Sequence, residues 1–319
     1  MLAKHTHIQT ALVAVVALLA GCSGSAGSPG MAGMSSFSPG LTPAVLSPRV
    51  SPAGSHLKNT LFVVDLNAAV TLFPGNINQK NPSPLGQITQ GVTRGVGVTI
   101  DRNGTLYVSS SGGKVTNVAE YKRGSSSPFF NIFKGLYVPG LLAVDSSGNL
   151  FVTATGPSLL VYPPGASSPS ETIKVPFVGR TPAVAGLAFD AKGDLLIGTF
   201  EVEHQLSNVY SLPPGSTQPV NLNLQSLPGG AVGADKLGNI YVGGSGGFIN
   251  VYPSGSTTPS RTINAGSAGF YSELTVAPNG TIYWPNYDSG EMFEFAPGAS
   301  APTNVFLGGG GVDAAVGRF

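Results

Sequence analysis

The sequence predicts an all-β fold, a six-bladed β-propeller closed by pairing of the N- and C-terminal strands, and three observations carry that prediction. The first is composition: 45 Gly and 26 Pro among 319 residues leave little room for helices, since both residue types break them. The second is an internal period. Turn glycines Gly104, Gly148, Gly193, Gly238 and Gly280 are spaced 44, 45, 45 and 42 residues apart, each between two apolar segments. The third is a Pro/Gly/Ser-rich link that recurs six times, once more than the hairpins, and so points to a unit split between the chain ends.

The chain begins with a short polar segment containing Lys4, followed by the apolar run Ala11–Ala20 and then Gly21-Cys22. Ten apolar residues are too few to span about 30 Å of hydrocarbon as a helix, but they match the apolar centre of a signal peptide. Leu19-Ala20-Gly21-Cys22 resembles the bacterial lipobox, in which the cysteine becomes the lipidated first residue of the mature protein. The resemblance implies a signal peptide over residues 1–21, lipidation of Cys22 and a membrane anchor in the bacterial cell envelope. Ser23 in place of Asp implies the outer membrane or cell surface. Residues 22–56, rich in Ser, Gly, Pro and Ala, cannot bury enough apolar surface to offset their ordering entropy. A disordered tether spanning about 30 Å is expected there.

The propeller domain is expected over residues 57–319. Its five complete hairpins begin GVTIDRNGTLYVSS at Gly97, LLAVDSSGNLFVTA at Leu141, GLAFDAKGDLLIGT at Gly186, AVGADKLGNIYVGG at Ala231 and ELTVAPNGTIYWPN at Glu273. In each turn the Asp side chain can accept backbone N–H bonds while the Gly takes the positive φ that closes the loop. Ala277 replaces the Asp in the fifth copy, where Pro278 presets φ instead. The links run from LFPG at Leu72 to FAPGASAP at Phe295. GGVDAAVGRF at the C-terminus reads as the first strand of a unit and NTLFVVD from Asn59 as its second, so the last strand should lie beside the first. Residues 57–319 then divide into six units of about 44 residues, within the range of propeller blades. Small residues at Thr99, Ala143, Ala188, Gly233, Thr275 and Ala315 fit a place where six sheets converge, and Val98, Leu142, Leu187, Val232 and Leu274 fit packing between blades. The units resemble NHL-type repeats and the related regucalcin/gluconolactonase propellers.

Charge and cysteine content exclude several functions. With 16 Lys+Arg against 15 Asp+Glu there is no basic stripe for nucleic acid, and one Cys makes neither an intramolecular disulfide nor a structural zinc site. Candidate ligand-binding residues gather at one mouth of the predicted channel. Glu201, Glu203 and His204 occupy a longer loop, Tyr271, Glu273, Asn286, Tyr287, Asp288 and Asp313 come from the last units, and Asp65 follows the seam strand. Glu273, Asp288 and Asp313 are the candidate metal ligands, because carboxylate oxygens suit Ca²⁺; the bland alternative makes all of these solvated rim residues. No other cofactor is expected. In gluconolactonase relatives a mouth metal is held by Glu, Asn and Asp from several blades, a set that does not match here residue by residue. Virginiamycin-lyase-like propellers use a catalytic His with Mg²⁺, and His204 has only Glu201 and Glu203 beside it. These departures weigh against a metal-dependent lactonase or lyase. The favoured reading is a monomeric, membrane-tethered binding or scaffold module for a small molecule, glycan or protein, with Tyr137, Tyr271, Trp284 and Tyr287 as candidate apolar anchors, although Trp284, within the second strand of its blade, reads better as core.

Overall fold

A computed structural model of the chain describes residues 59–75, 82–112, 115–154, 156–177, 182–201, 205–244, 246–266, 273–307 and 311–319. Among these the strands form six sheets of four, each an antiparallel meander. From the axis outward, blade 1 is Gly311–Gly317, Thr60–Asp65, Ala69–Pro74 and Gly86–Ile88. Blade 2 is Gly95–Ile100, Leu106–Ser110, Asn117–Tyr121 and Phe130–Ile132, and blade 3 is Leu142–Val144, Leu150–Thr153, Ser158–Tyr162 and Glu171–Lys174. Blade 4 comprises Pro182–Phe189, Leu195–Glu201, Leu206–Leu212 and Val220–Asn221. Blade 5 comprises Ala231–Ala234, Ile240–Gly244, Phe248–Tyr252 and Arg261–Asn264, and blade 6 comprises Thr275–Val276, Ile282–Asn286, Glu291–Phe295 and Asn304–Leu307. The seam is where the sequence places it: Gly311–Gly317 pairs antiparallel with Thr60–Asp65, with Thr60 opposite Gly317 and Val63 opposite Ala314.

The hairpins form for the reason their residues suggest. Asp101 Oδ1 accepts the N–H groups of Asn103 (2.8 Å) and Thr105 (2.7 Å), and Asp145, Asp190 and Asp235 repeat that pair of bonds two and four residues on. The turn glycines sit at φ between +82° and +88°, where an L side chain would be strained. Around Ala277 the substitution is different from the one Pro278 alone would give, because Asn279 Oδ1 accepts the Thr281 N–H (3.1 Å) in place of the missing Asp.

There is no central oil drop. Six apolar clusters occupy the six blade-to-blade interfaces instead, from Phe62, Val98 and Phe319 between blades 1 and 2 to Leu61, Tyr283 and Phe306 between blades 6 and 1. Val98, Leu142, Leu187, Val232 and Leu274 each pack back onto the preceding blade, as expected. The small positions face the following blade, and Thr99, Ala188, Gly233, Thr275 and Ala315 also line the axial cavity where the sheets converge. A Cβ on Gly233 would lie 2.7 Å from both Leu274 Cδ2 and Val276 Cγ2 of blade 6. What faces the axis is backbone, because each inner strand has a sheet neighbour on one side only and its other edge is left bare. Three tyrosines lock blades from outside: the hydroxyls of Tyr121, Tyr162 and Tyr252 donate to the Gln90, Lys134 and Gln225 carbonyls in the link from the preceding blade (2.7 Å each).

Candidate functional site

The axis is where the sequence-derived acids meet the fold. Val98, Leu142, Leu187, Val232, Leu274 and Ala314 occupy the same position in the six repeats, and their bare edge makes a ring of backbone groups around the channel. Glu273 and Asp313, one residue before Leu274 and Ala314, fold into that ring. Leu187 N–H donates to Glu273 Oε1 (3.1 Å), and the Val232 and Leu274 amides also stabilise this carboxylate. Val98 N–H donates to Asp313 Oδ2 (2.8 Å) and Ala314 N–H to Asp313 Oδ1 (2.7 Å). Two carboxyl groups thus engage amides from five of the six inner strands.

The equivalent positions in blades 2 and 4 are Gly97 and Gly186, where a Cβ would stand 2.4 Å from Gly140 O and 2.5 Å from Gly230 O. Adjacent inner strands approach too closely for a side chain there. Blades 3 and 5 carry Leu141 and Ala231 at this position, and blades 6 and 1 carry the two acids.

Burial sets the electrostatics. Glu273 is 6% and Asp313 2% exposed, so these are interior groups and not rim residues. Loss of water, and secondarily the charge of Asp313, holds the Glu273 carboxyl well above the usual carboxylate range. Burial pushes Asp313 up to about 8 against the lowering by its two amide bonds. Glu273 Oε2 is buried and accepts no hydrogen bond. Both acids line an axial cavity of about 190 Å³ that runs on past Thr99, Ala188 and Thr275 to Ile100, Phe189 and Val316. Its acid end is buried, while the positions at the hairpin end, Ile100, Val144, Phe189, Ala234, Val276 and Val316, are all partly exposed. The cavity therefore reaches solvent at the hairpin side, with the acids at its other end.

The other candidates are brought to the same end of the blades but not into one cluster. Asp65 is buried at the end of its strand, where Oδ1 accepts the Asn67 N–H (2.8 Å) in a tight turn, and burial raises its pKa. Glu201 is buried at the equivalent strand end of blade 4. Asn286 Oδ1 accepts the amides of Asp288 (3.0 Å) and Ser289 (3.4 Å), making Asn286 a turn former; Tyr287 is half-buried and Asp288 exposed. Glu203, His204, Tyr271, Cys22 and the tether lie outside the described residues. Trp284 is fully buried between blades 5 and 6, so it is core and not an anchor, whereas Tyr137 is 71% exposed.

Among the described residues no three His, Cys, Asp or Glu side chains converge as metal ligands. Glu273 and Asp313 come together, and among the described residues Asp288 does not make a third carboxylate beside them. Sequence reasoning found both acids but missed their partners, because backbone amides leave no residue-type signal. No helix among the described residues is long and apolar enough to cross a membrane.

No protein-family model matches the chain, and no curated protein matches its sequence. Solved structures do match its fold. A chain in the crystal structure of a nidogen/laminin complex superposes with a TM-score of 0.64 at 12% identity, covering 81% of this chain and 98% of that one. A protein of unknown function from Bacteroides caccae gives 0.58 at 14% identity, covering 82% of this chain and 100% of its own. At such identities the likeness is one of fold alone.

Proposed function

We propose that this chain is a lipid-anchored propeller of the bacterial envelope that binds a protein partner, acting as a binding or scaffold module and not as a hydrolase. The observation that carries this reading is the division between acids and aromatics. The acids at the channel's inner end are engaged with backbone amides, whereas Phe133 (55% exposed) and Tyr137 (71% exposed) stand out from the connection between blades 2 and 3. Exposed aromatics supply the apolar anchors that dominate protein interfaces, at low cost in side-chain entropy. The likeness to a chain of a nidogen/laminin complex supports the reading to the extent that the complex pairs two proteins.

A photo-crosslinking side chain at position 137, compared with one at Leu237 in the blade 5 hairpin (72% exposed), tests the surface. A discrete adduct from position 137 and none from 237 is expected. Adducts from both or from neither would remove the surface from consideration. The anchor is tested separately: Cys22→Ala should leave an unlipidated precursor, visible by mass and detergent partitioning.

A further inference from the structure

Hydrogen-bonding groups at the inner end of the channel do not balance. Five of the six ring amides there are taken by carboxylate oxygens, and Glu273 Oε2, on a side chain 94% buried by its 6% exposure, has no donor. The bare strand edges add carbonyl oxygens, of which Ala314 O accepts the Thr275 hydroxyl. No Lys, Arg or His is among the described residues that line the cavity. The site has acceptors in excess and two carboxyl groups whose charged form burial disfavours, so a cation placed between them would supply donors and favour their ionised form.

We propose that the inner end of the axial channel binds a single primary ammonium group, held by Glu273 Oε2, Asp313 and an inner-strand carbonyl. The donor count selects this group over other cations. Ca²⁺ takes six to eight oxygens, and the described residues bring only two carboxylates together. A guanidinium is planar and pairs best with both oxygens of one carboxylate, but both Asp313 oxygens and Glu273 Oε1 already accept amides. An ammonium has three donors that radiate from one compact point and needs only single acceptors in different directions. A cavity of about 190 Å³ has room for a short alkylammonium entering from the hairpin side.

The full chain is melted at constant ionic strength with 10 mM n-butylammonium, tetramethylammonium, sodium or calcium chloride. The butylammonium arm should raise Tm by about 3 °C through mass action, and the others should not, since tetramethylammonium has the charge but no N–H. Glu273→Gln keeps Oε1 for the Leu187 amide but replaces the free oxygen by an amide nitrogen, and it should abolish the shift. An N-acetyl-lysine methylamide arm separates sources: a shift there assigns a lysine side chain as well as free amines, and none assigns free amines alone. Equal melts with butylammonium and tetramethylammonium, a shift confined to calcium, or a full shift retained in Glu273→Gln would each overturn the proposal. The wild-type series decides the matter even if the variant does not fold.

Discussion

At Asp313 two amide bonds pull the carboxyl toward ionisation and burial pulls it the other way, and burial wins. Glu273 moves in the same direction, with the neighbouring charge adding to the loss of water. Groups whose pKa is higher in the folded chain than in the unfolded one bind their proton more tightly when folded. Their contribution to stability is therefore complete below about pH 4, the unfolded carboxylate range, and is lost as pH rises through the folded value, about 8 for Asp313. We expect the urea midpoint to fall between pH 5 and 8.5, and Glu273→Gln, which cannot ionise, to reduce the fall. A flat midpoint in the wild type across that window would mean the pair is not held apart from water as described. Glu120 in blade 2, buried and raised to about 7 by desolvation and by Asp101, follows the same sign. Glu120→Gln should make stability less dependent on pH between about 4.5 and 7, measured by the same titration.

The repeated hairpin shows how closely an element's sequence follows its hydrogen bonds. Asp145→Ala removes the acceptor for the Ser147 and Asn149 amides and should cost about 1–2 kcal/mol. Restoring the consensus at the one deviant copy should not help. Ala277 is 4% exposed in the cluster between blades 6 and 1, beside Leu61 and Tyr283, and Asn279 already serves the Thr281 amide. Ala277→Asp would put a carboxylate into that cluster and should lower stability by at least about 1 kcal/mol; a higher Tm would show that the turn, not the interface, governs the position. Strand pairs and turns were legible in the sequence because Asp, Gly and alternating apolar residues mark them directly. The direction of the small positions was not: alternation says that Thr99 and Val98 face opposite ways, but not that the strand edge between them is what points at the axis. Trp284 stood out in the sequence as the single tryptophan and is core, as its place mid-strand already suggested.

For the whole molecule, closure rests on the last nine residues. Gly311–Gly317 supplies the inner strand of blade 1, Asp313 bonds blade 2 through the Val98 amide 215 residues away, and Phe319 stacks edge-on against Phe62 with ring centroids 5.1 Å apart. Removing residues 311–319 should abolish a cooperative thermal transition, and a truncated chain melting like the parent would show that closure lies elsewhere. The six-fold count and the seam were legible because the period leaves one strand of a unit at the C-terminal end and its other three at the N-terminal end. The amide ring was not, since the side chains of its residues pack between blades and only their backbone lines the axis. The seam also orders events in time. The outer three strands of blade 1 are the first of the domain to be made and their inner partner is the last, so at ordinary synthesis rates they wait roughly 10–50 s with one edge bare. During that interval blades 2 to 6 can stack as a growing arc, but the ring can close only once the Gly311–Gly317 strand has emerged.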